Sequence, residues 1–206
     1  MAESIERFPL FPLDLVLLPG EVAPLHIFEE RYRTMVAECL ESKSEFGIVW
    51  LGDEVLHDVG CTVEITEVME KMDDGRMNIL VQGVRPFRLQ QRVDDMDYPA
   101  GDIVLLDEEE SEDDSDAGAA ARRGYAGLVE RVTDSRPAED ELADLDAYAM
   151  ASTIAFDNDA KQELLELRSE SERLSRLATL CVRALERYDY AEQASERASS
   201  NGKVHH

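Results

Sequence analysis

The chain lacks a long apolar run and contains few cysteines and few lysines. The first of these shortages argues against a membrane protein and the second against a disulfide-rich or zinc-binding one. No apolar stretch approaches the roughly 20 residues that a membrane-spanning helix needs. Prolines interrupt the apolar run near the N-terminus, where a signal peptide would need a continuous apolar segment. We therefore expect a cytoplasmic protein that does not bind membranes.

The three cysteines are widely spaced and form no CxxC pair. Cys39, Cys61 and Cys181 each lie in an apolar periodic pattern, which is typical of buried free thiols. Neither His26 nor His57 adds a recognisable zinc-ligand spacing. No metal ion and no other cofactor is therefore expected.

Acidic side chains outnumber basic ones by 46 to 21, and the formal net charge is −25. A surface of this charge repels nucleic-acid phosphates and anionic lipid headgroups, so we expect neither nucleic acid nor a membrane as a partner. The dense carboxylates and the low lysine content indicate either a salt-adapted cytoplasm, where cations screen the charges, or simply an acidic soluble protein.

The N-terminal half alternates short apolar runs with glycine and proline, which predicts a small β-rich lobe over residues 1–106. Pro19-Gly20 predicts a turn, and Asp73–Arg76 predicts a hairpin turn. Between them, a helix is predicted because apolar side chains at Tyr32, Met35, Val36, Cys39 and Leu40 share one face. The expected strands are Leu15–Leu18, Phe46–Leu51, one within Leu56–Met72, Met77–Val81 with a kinked continuation through Gln82–Leu89, and Ile103–Leu106.

The chain becomes acidic and then helical after residue 106. Asp107–Asp116 has eight carboxylates in ten positions, which predicts an exposed loop or linker over residues 107–118. A calcium site is the alternative, although the run lacks the glycine and ligand spacing of an EF-hand.

Apolar faces at helical spacing in residues 119–190 predict an antiparallel bundle packed against the β lobe. Pro137 suits the first turn of one helix, whose weaker stripe runs from Leu142 to Ser152. Capping boxes are predicted at Asp159 with Gln162 and at Ser169 with Glu172. Residues 191–206 are expected to form a flexible tail that ends in a native or tag-derived His205-His206.

Two separated segments resemble one known family. Phe8–Val36 contains PLHIFE followed by RYR, and Ala160–Leu180 reads AKQELLELRSESERLSRLATL. In this order they resemble the opening and the close of the Lon N-terminal domain, the substrate-binding module of the ATP-dependent protease Lon, and especially its stand-alone relatives. The resemblance covers about residues 7–187 and implies an α+β fold, with a PUA-like β-barrel lobe, one early helix and a C-terminal helical bundle. Pro86 departs from the basic residue common in relatives, so no role is transferred to it.

Motifs for the two catalytic activities of Lon are absent from the sequence. No Gly-rich phosphate loop ends in Lys-Ser or Lys-Thr, and no lysine lies in a segment that resembles the Ser-Lys protease domain. No GxSxG nucleophile elbow occurs either. We therefore predict a non-catalytic protein with no catalytic, cofactor-binding or metal-binding residues.

The resemblance implies a protein that binds exposed apolar or unfolded polypeptide segments as an adaptor, a holdase or a competitor in protein quality control. Unfolded or degron-bearing polypeptides are the expected partners, with a protease or a chaperone as a further partner. The candidate binding residues are His26, Phe28, Arg31 and Tyr32. The structural alternatives are a hydrogen-bonded strand-to-helix junction for His26, core packing for the two aromatic residues and ion pairs with neighbouring acidic residues for Arg31. A PUA-like RNA-binding module, which the acidic charge disfavours, and a small hydrolase are the alternative functions.

Overall fold

The computed structural model describes residues 3–53, 55–110 and 115–201, with six strands and six helices in these ranges. The strands are β1 (Ser4–Leu13), β2 (Val22–Ile27), β3 (Phe46–Gly52), β4 (Val55–Lys71), β5 (Met77–Val93) and β6 (Ala100–Leu105). The helices are α1 (Glu30–Ser42), α2 (Ser115–Thr133), α3 (Glu139–Ala143), α4 (Ala147–Ala151), α5 (Asn158–Glu166) and α6 (Glu170–Asn201). The predicted α+β class is confirmed.

The chain divides into two compact units. Unit 1 contains the sheet, α1 and residues 148–169; unit 2 contains the described residues of the ranges 111–147 and 170–206. Residues 148–169, which the sequence places in the helical bundle, group with the sheet because α5 bonds to it: the Gln162 side-chain amide donates to the Val59 carbonyl at 3.1 Å.

Strand β6 ends at Leu105, next to the predicted boundary at 106, whereas the boundaries at 118 and 190 fall inside helices. Helix α2 begins at Ser115, inside the predicted linker, and α6 continues through Asn201, beyond the predicted start of the tail. Residues 107–110 of the linker are exposed and irregular, as predicted, whereas its part at 111–114 and the tail end at 202–206, with the terminal histidines, lie outside the described residues. The domain limits stay a prediction.

The six strands form one mixed sheet in the order β2-β5-β4-β3-β1-β6, and β6 also pairs with β5. Only β1 and β3 pair in parallel among the described strands. The long β5 pairs with β2 through its first residues and with β6 through its last ones. The sheet therefore bends back on itself but keeps open edges at β2 and the outer part of β4, so it is not a closed barrel. The PUA-like description stays a prediction.

The kink predicted in β5 is present as a register shift. Cys61 and Val63 of β4 lie opposite Pro86 and Gly83, so β5 has an extra residue between the paired positions. A Cβ at Gly83 would lie 2.2 Å from the backbone oxygen of Leu18, which only glycine avoids. Glycine and proline thus place the bend where the sequence indicates it.

The strand predicted at Leu15–Leu18 is wrong. These residues form an extended segment outside the sheet, after β1, although Val16, Leu17 and Leu18 are buried. Side-chain oxygens, rather than a neighbouring strand, accept the backbone N–H groups of this segment. The Val16 N–H donates to Asn158 Oδ1 at 3.2 Å, and the Leu18 N–H donates to Glu21 Oε2 at 3.1 Å. An apolar run signals burial, and burial does not require strand pairing.

Helix α1 buries the predicted face against the sheet. Tyr32, Met35, Val36 and Cys39 are buried in one apolar cluster, whereas Leu40 stays 38% exposed at its margin. The predicted Pro19-Gly20 turn and the Asp73–Arg76 hairpin turn are also present. The face of the first helix and both turns are therefore confirmed.

Three helix details differ from the prediction. The weak stripe at 142–152 forms two short helices, α3 and α4, and Pro137 precedes the N-cap of α3 rather than lying in a first turn. The N-cap of α5 is Asp157, whose carboxylate accepts the Ala160 N–H at 3.0 Å, and Asp159 is already helical. Helix α6 begins at Glu170, directly after Ser169, as expected.

In unit 2 the long helices α2 and α6 pack closely. A Cβ at Gly124 would lie 2.7 Å from the Cβ of Cys181, so the glycine permits this close contact. Among the helices in the described ranges, none is both long enough and apolar enough to cross a bilayer.

Candidate functional site

Unit 1 contains a cleft of about 460 Å³ where the end of β1, the β2–α1 junction and the β3–β4 hairpin meet. The volume lies within the range of about 300–1,000 Å³ that is typical of ligand pockets. Its walls are formed by Phe11, Pro12, Leu13, His26, Phe28, Glu29, Arg31, Tyr32, Leu51, Leu56, Arg92 and Pro99. All four residues that the sequence nominates therefore line one cleft.

The β2–α1 junction presents two of these residues on one face. Leu25 and Ile27 of β2 are buried, so the alternating His26 points outward, and Phe28 follows beyond the strand end. The His26 and Phe28 rings stack at 5.7 Å between centroids with an interplanar angle of 21°. Phe28 is 59% exposed, which makes it an apolar side chain available at the mouth of the cleft.

A hydrogen-bonded chain fixes the His26 ring. Its Nδ1 lies 2.6 Å from Asn78 Oδ1, and the Asn78 side-chain amide donates to Glu70 Oε2 at 2.9 Å. Because an amide oxygen can only accept, Nδ1 donates this hydrogen bond, and in the neutral form of the ring Nε2 is then left as an acceptor. His26 is thus a hydrogen-bonded residue at the strand-to-helix junction, which was the structural alternative to a binding role, and it also forms part of the cleft wall.

Tyr32 belongs mainly to the core. It is 6% exposed, and its ring centroid lies 4.1 Å from that of Phe11. Burial raises the pKa of the Tyr32 hydroxyl, and the nearby Arg31 guanidinium offsets part of that effect. One side of the Phe11–Tyr32 pair therefore supplies a rigid aromatic wall to the cleft.

Arg31 lies over the Tyr32 ring, with its guanidinium carbon 4.7 Å from the ring centroid. Its Nε also donates to Glu29 Oε2 at 2.9 Å. The charge of Arg31 is therefore partly compensated within the free protein, as the ion-pair alternative predicts.

Sequence reasoning missed the far wall of the cleft. Leu51 and Leu56 face each other across the β3–β4 hairpin, and Leu51 remains 41% exposed. Their alternation around the hairpin was a usable signal. Arg92 comes from the end of β5, and no local pattern places it here, because only the bend of the 17-residue strand brings it to the cleft.

The sequence matches a family model described as the ATP-dependent protease La (LON) substrate-binding domain over residues 7–183. The chain belongs to this family, so the recognition from the two separated segments is confirmed.

Curated relatives are much longer than this chain. A Lon protease from Parabacteroides distasonis is 30% identical over 119 residues, which cover 52% of this chain and 14% of that protein. Lon protease 2 from Herpetosiphon aurantiacus is 29% identical over 202 residues, or 87% of this chain and 24% of that protein. The chain thus spans a quarter or less of these relatives.

Solved structures of single domains match nearly end to end. A Lon N-terminal domain protein from Xanthomonas campestris has a TM-score of 0.66 and 27% identity, with coverage of 85% of this chain and 98% of that one. The N-terminal domain of a Mycobacterium avium complex Lon protease has a TM-score of 0.65, 19% identity and coverage of 87% and 98%. The second likeness concerns the fold alone.

Proposed function

We propose that unit 1 binds exposed apolar or unfolded polypeptide segments in the cleft, through His26, Phe28, Arg31 and Tyr32. The observation that carries this proposal is the mostly apolar cleft with Phe28 exposed at its mouth. The description of the family as a substrate-binding domain supports it. The chain acts without catalysis, in the cytoplasm, and hands its client to a protease or chaperone.

Binding of such a segment is driven by the burial of apolar surface that water contacts in the free protein. Phe28 at 59% exposure and Leu51 at 41% both border the cleft. Fully burying one such side chain is worth about 1.5–3 kcal/mol, so covering the exposed part of Phe28 contributes about 1–2 kcal/mol. A folded client has few apolar side chains to offer, whereas an unfolded one has many.

The His26 ring adds a polar anchor. Its Nε2 can accept a hydrogen bond from the backbone N–H of an extended segment next to Phe28. Every residue except proline carries that donor, so this contact helps binding without restricting the client sequence.

A labelled protein that is kept unfolded by reduction and carboxymethylation tests the proposal by fluorescence anisotropy, with its folded parent as the control client. We expect binding to the unfolded form and a several-fold weaker affinity for Phe28→Ala. Val22→Ala is the matched control variant, since Val22 is 53% exposed on β2 but does not line the cleft. Equal binding of folded and unfolded clients, or equal loss in both variants, would contradict the proposal.

A further inference from the structure

A second cleft of about 260 Å³ adjoins the first one in unit 1. The two clefts share Arg31, Leu56 and Arg92 together with two prolines, so they form one continuous groove. Beyond the arginines, the second cleft has Asp94 and Asp97 in its wall. The two arginines therefore lie where the mostly apolar first cleft meets a second cleft that also has acidic side chains.

Arg92 pairs with Gly101 of β6 through its backbone, but its side chain is exposed, and among the described residues no hydrogen bond or ion pair satisfies the guanidinium. The other described arginines of unit 1 all have oxygen partners: Arg7 with Asp95, Arg31 with Glu29, Arg33 and Arg76 with Asp74, Arg85 with Glu3, Arg88 with Asp58, and Arg168 with Asp107 and Glu109.

The missing partner is informative because carboxylates are abundant in this chain. With 46 acidic against 21 basic side chains, an arginine readily finds an internal partner. Arg92 instead faces a groove that is large enough for part of a peptide. A guanidinium binds planar carboxylates preferentially, so the groove is complementary to a ligand that brings one.

We propose that the groove selects client segments in which an apolar residue is followed two positions later by Asp or Glu, whose carboxylate binds Arg92. This inference rests on the proposed polypeptide binding. In an extended peptide, residues i and i+2 lie on the same face about 6.6 Å apart, so both can face the groove. Asp94 and Asp97 then oppose a further acidic residue and favour a basic one.

The charge of the whole chain limits how acidic the client can be. A net charge of −25 repels acidic tracts, and only the local Arg92 offsets this for one carboxylate. The selected segment is therefore apolar with one acidic residue, and phosphate-rich ligands are disfavoured by the same repulsion.

The test uses the full chain and short fluorescent peptides that are acetylated and amidated, so that no terminal charge interferes. One peptide has Phe at position i, Glu at i+2 and Lys at i+4, and its matched partner has Gln at i+2. We expect the Glu peptide to bind about 3- to 10-fold more tightly. In Arg92→Gln this preference disappears, and the remaining affinity equals that for the Gln peptide.

Arg88→Gln is the matched control, because Arg88 lies on the same strand, is exposed and pairs with Asp58 outside the groove. It keeps the full preference for Glu, and circular dichroism confirms that both variants fold. Equal binding of both peptides to the unmodified protein overturns the inference and leaves the proposed function standing. Binding of neither peptide, together with no binding of the unfolded protein, overturns both.

A third peptide ends at i+2 with Gln and a free C-terminal carboxylate. Weaker binding than that of the internal Glu peptide supports the proposed segment. Tighter binding that Arg92→Gln abolishes would overturn it in favour of recognition of chain ends.

Discussion

The interaction between Lys161 and Glu21 should be the most sensitive polar contact of unit 1. Lys161 Nζ lies 2.5 Å from Glu21 Oε1, and the two side chains are only 9% and 15% exposed. The other Glu21 oxygen accepts the Leu18 N–H at 3.1 Å, so this carboxylate also holds the extended segment after β1. Lys161→Met removes the cation, keeps the aliphatic stem and leaves Glu21 charged without its counterion.

Removing one partner of a buried ion pair costs about 3–5 kcal/mol, because the remaining charge is left desolvated. Some solvent still reaches both side chains here, so we expect about 3 kcal/mol for Lys161→Met. For a chain of this length, that loss lowers the unfolding midpoint by about 6–12 °C. Glu21→Gln removes the charge but keeps an oxygen for the Leu18 N–H, so the double variant should recover about 2 kcal/mol.

Urea denaturation followed by circular dichroism measures the free energy of unfolding of the four proteins in this double-mutant cycle. Arg136→Met is the control, because Arg136 pairs with Glu130 at 2.7 Å while both side chains are about half exposed. Such an exposed pair contributes about 0.2–1 kcal/mol. A loss below 1 kcal/mol for Lys161→Met, or simple additivity in the double variant, would refute the reasoning.

Three further predictions concern Cys61, Gly60 and the N-cap residue Asp157. Burial raises the pKa of the Cys61 thiol to about 12, so Ellman's reagent should modify it only as fast as the protein unfolds, and stability should fall as the pH rises above about 9. Immediate reaction in native buffer would contradict this. Gly60→Ala places a Cβ 2.4 Å from the Ile48 carbonyl oxygen and should lower the free energy of unfolding by about 1–3 kcal/mol; an unchanged urea midpoint would count against the close contact. Asp157→Ala should cost about 0.5–2 kcal/mol and Asp159→Ala clearly less, and the reverse order by thermal unfolding would return the cap to residue 159.

The sign of the alkaline effect follows from the direction of the shift. The folded state keeps the Cys61 proton at a pH where the unfolded thiol, with its ordinary pKa, has lost it. The folded state therefore binds more protons in this window, and the stability it gains from the neutral thiol is fully present below the unfolded pKa. It is lost progressively as the pH rises toward the folded pKa.

Local signals in the sequence were sufficient for the hairpin and the first helix. An Asp-Gly turn between apolar strands and a stripe at helical spacing are determined by residues close together in the chain. The strand prediction at Leu15–Leu18 was wrong because apolar character indicates burial and does not show whether a segment pairs with a strand. The acceptors of its backbone N–H groups include Asn158, which is remote in sequence and which no local pattern indicates.

The candidate site shows the same limit. His26, Phe28, Arg31 and Tyr32 lie within seven positions, so their proximity is local and could be predicted. Arg92 reaches the cleft only because β5 bends past β4 to pair with β6, and this depends on a register shift that no short window of sequence defines. The second arginine of the site was therefore the part that the sequence could not supply.

The size of the cleft limits how tightly a client can be held. Covering Phe28 contributes about 1–2 kcal/mol, and a few neighbouring apolar contacts add comparable amounts. Association costs about 4–15 kcal/mol in lost rotational and translational freedom, so one groove of this kind gives weak, short-lived binding. A holdase needs long residence on its client, whereas an adaptor must release it to another protein. Weak binding of this kind suits the adaptor role that we propose better than a holdase, and tight capture would require a second contact on the same client.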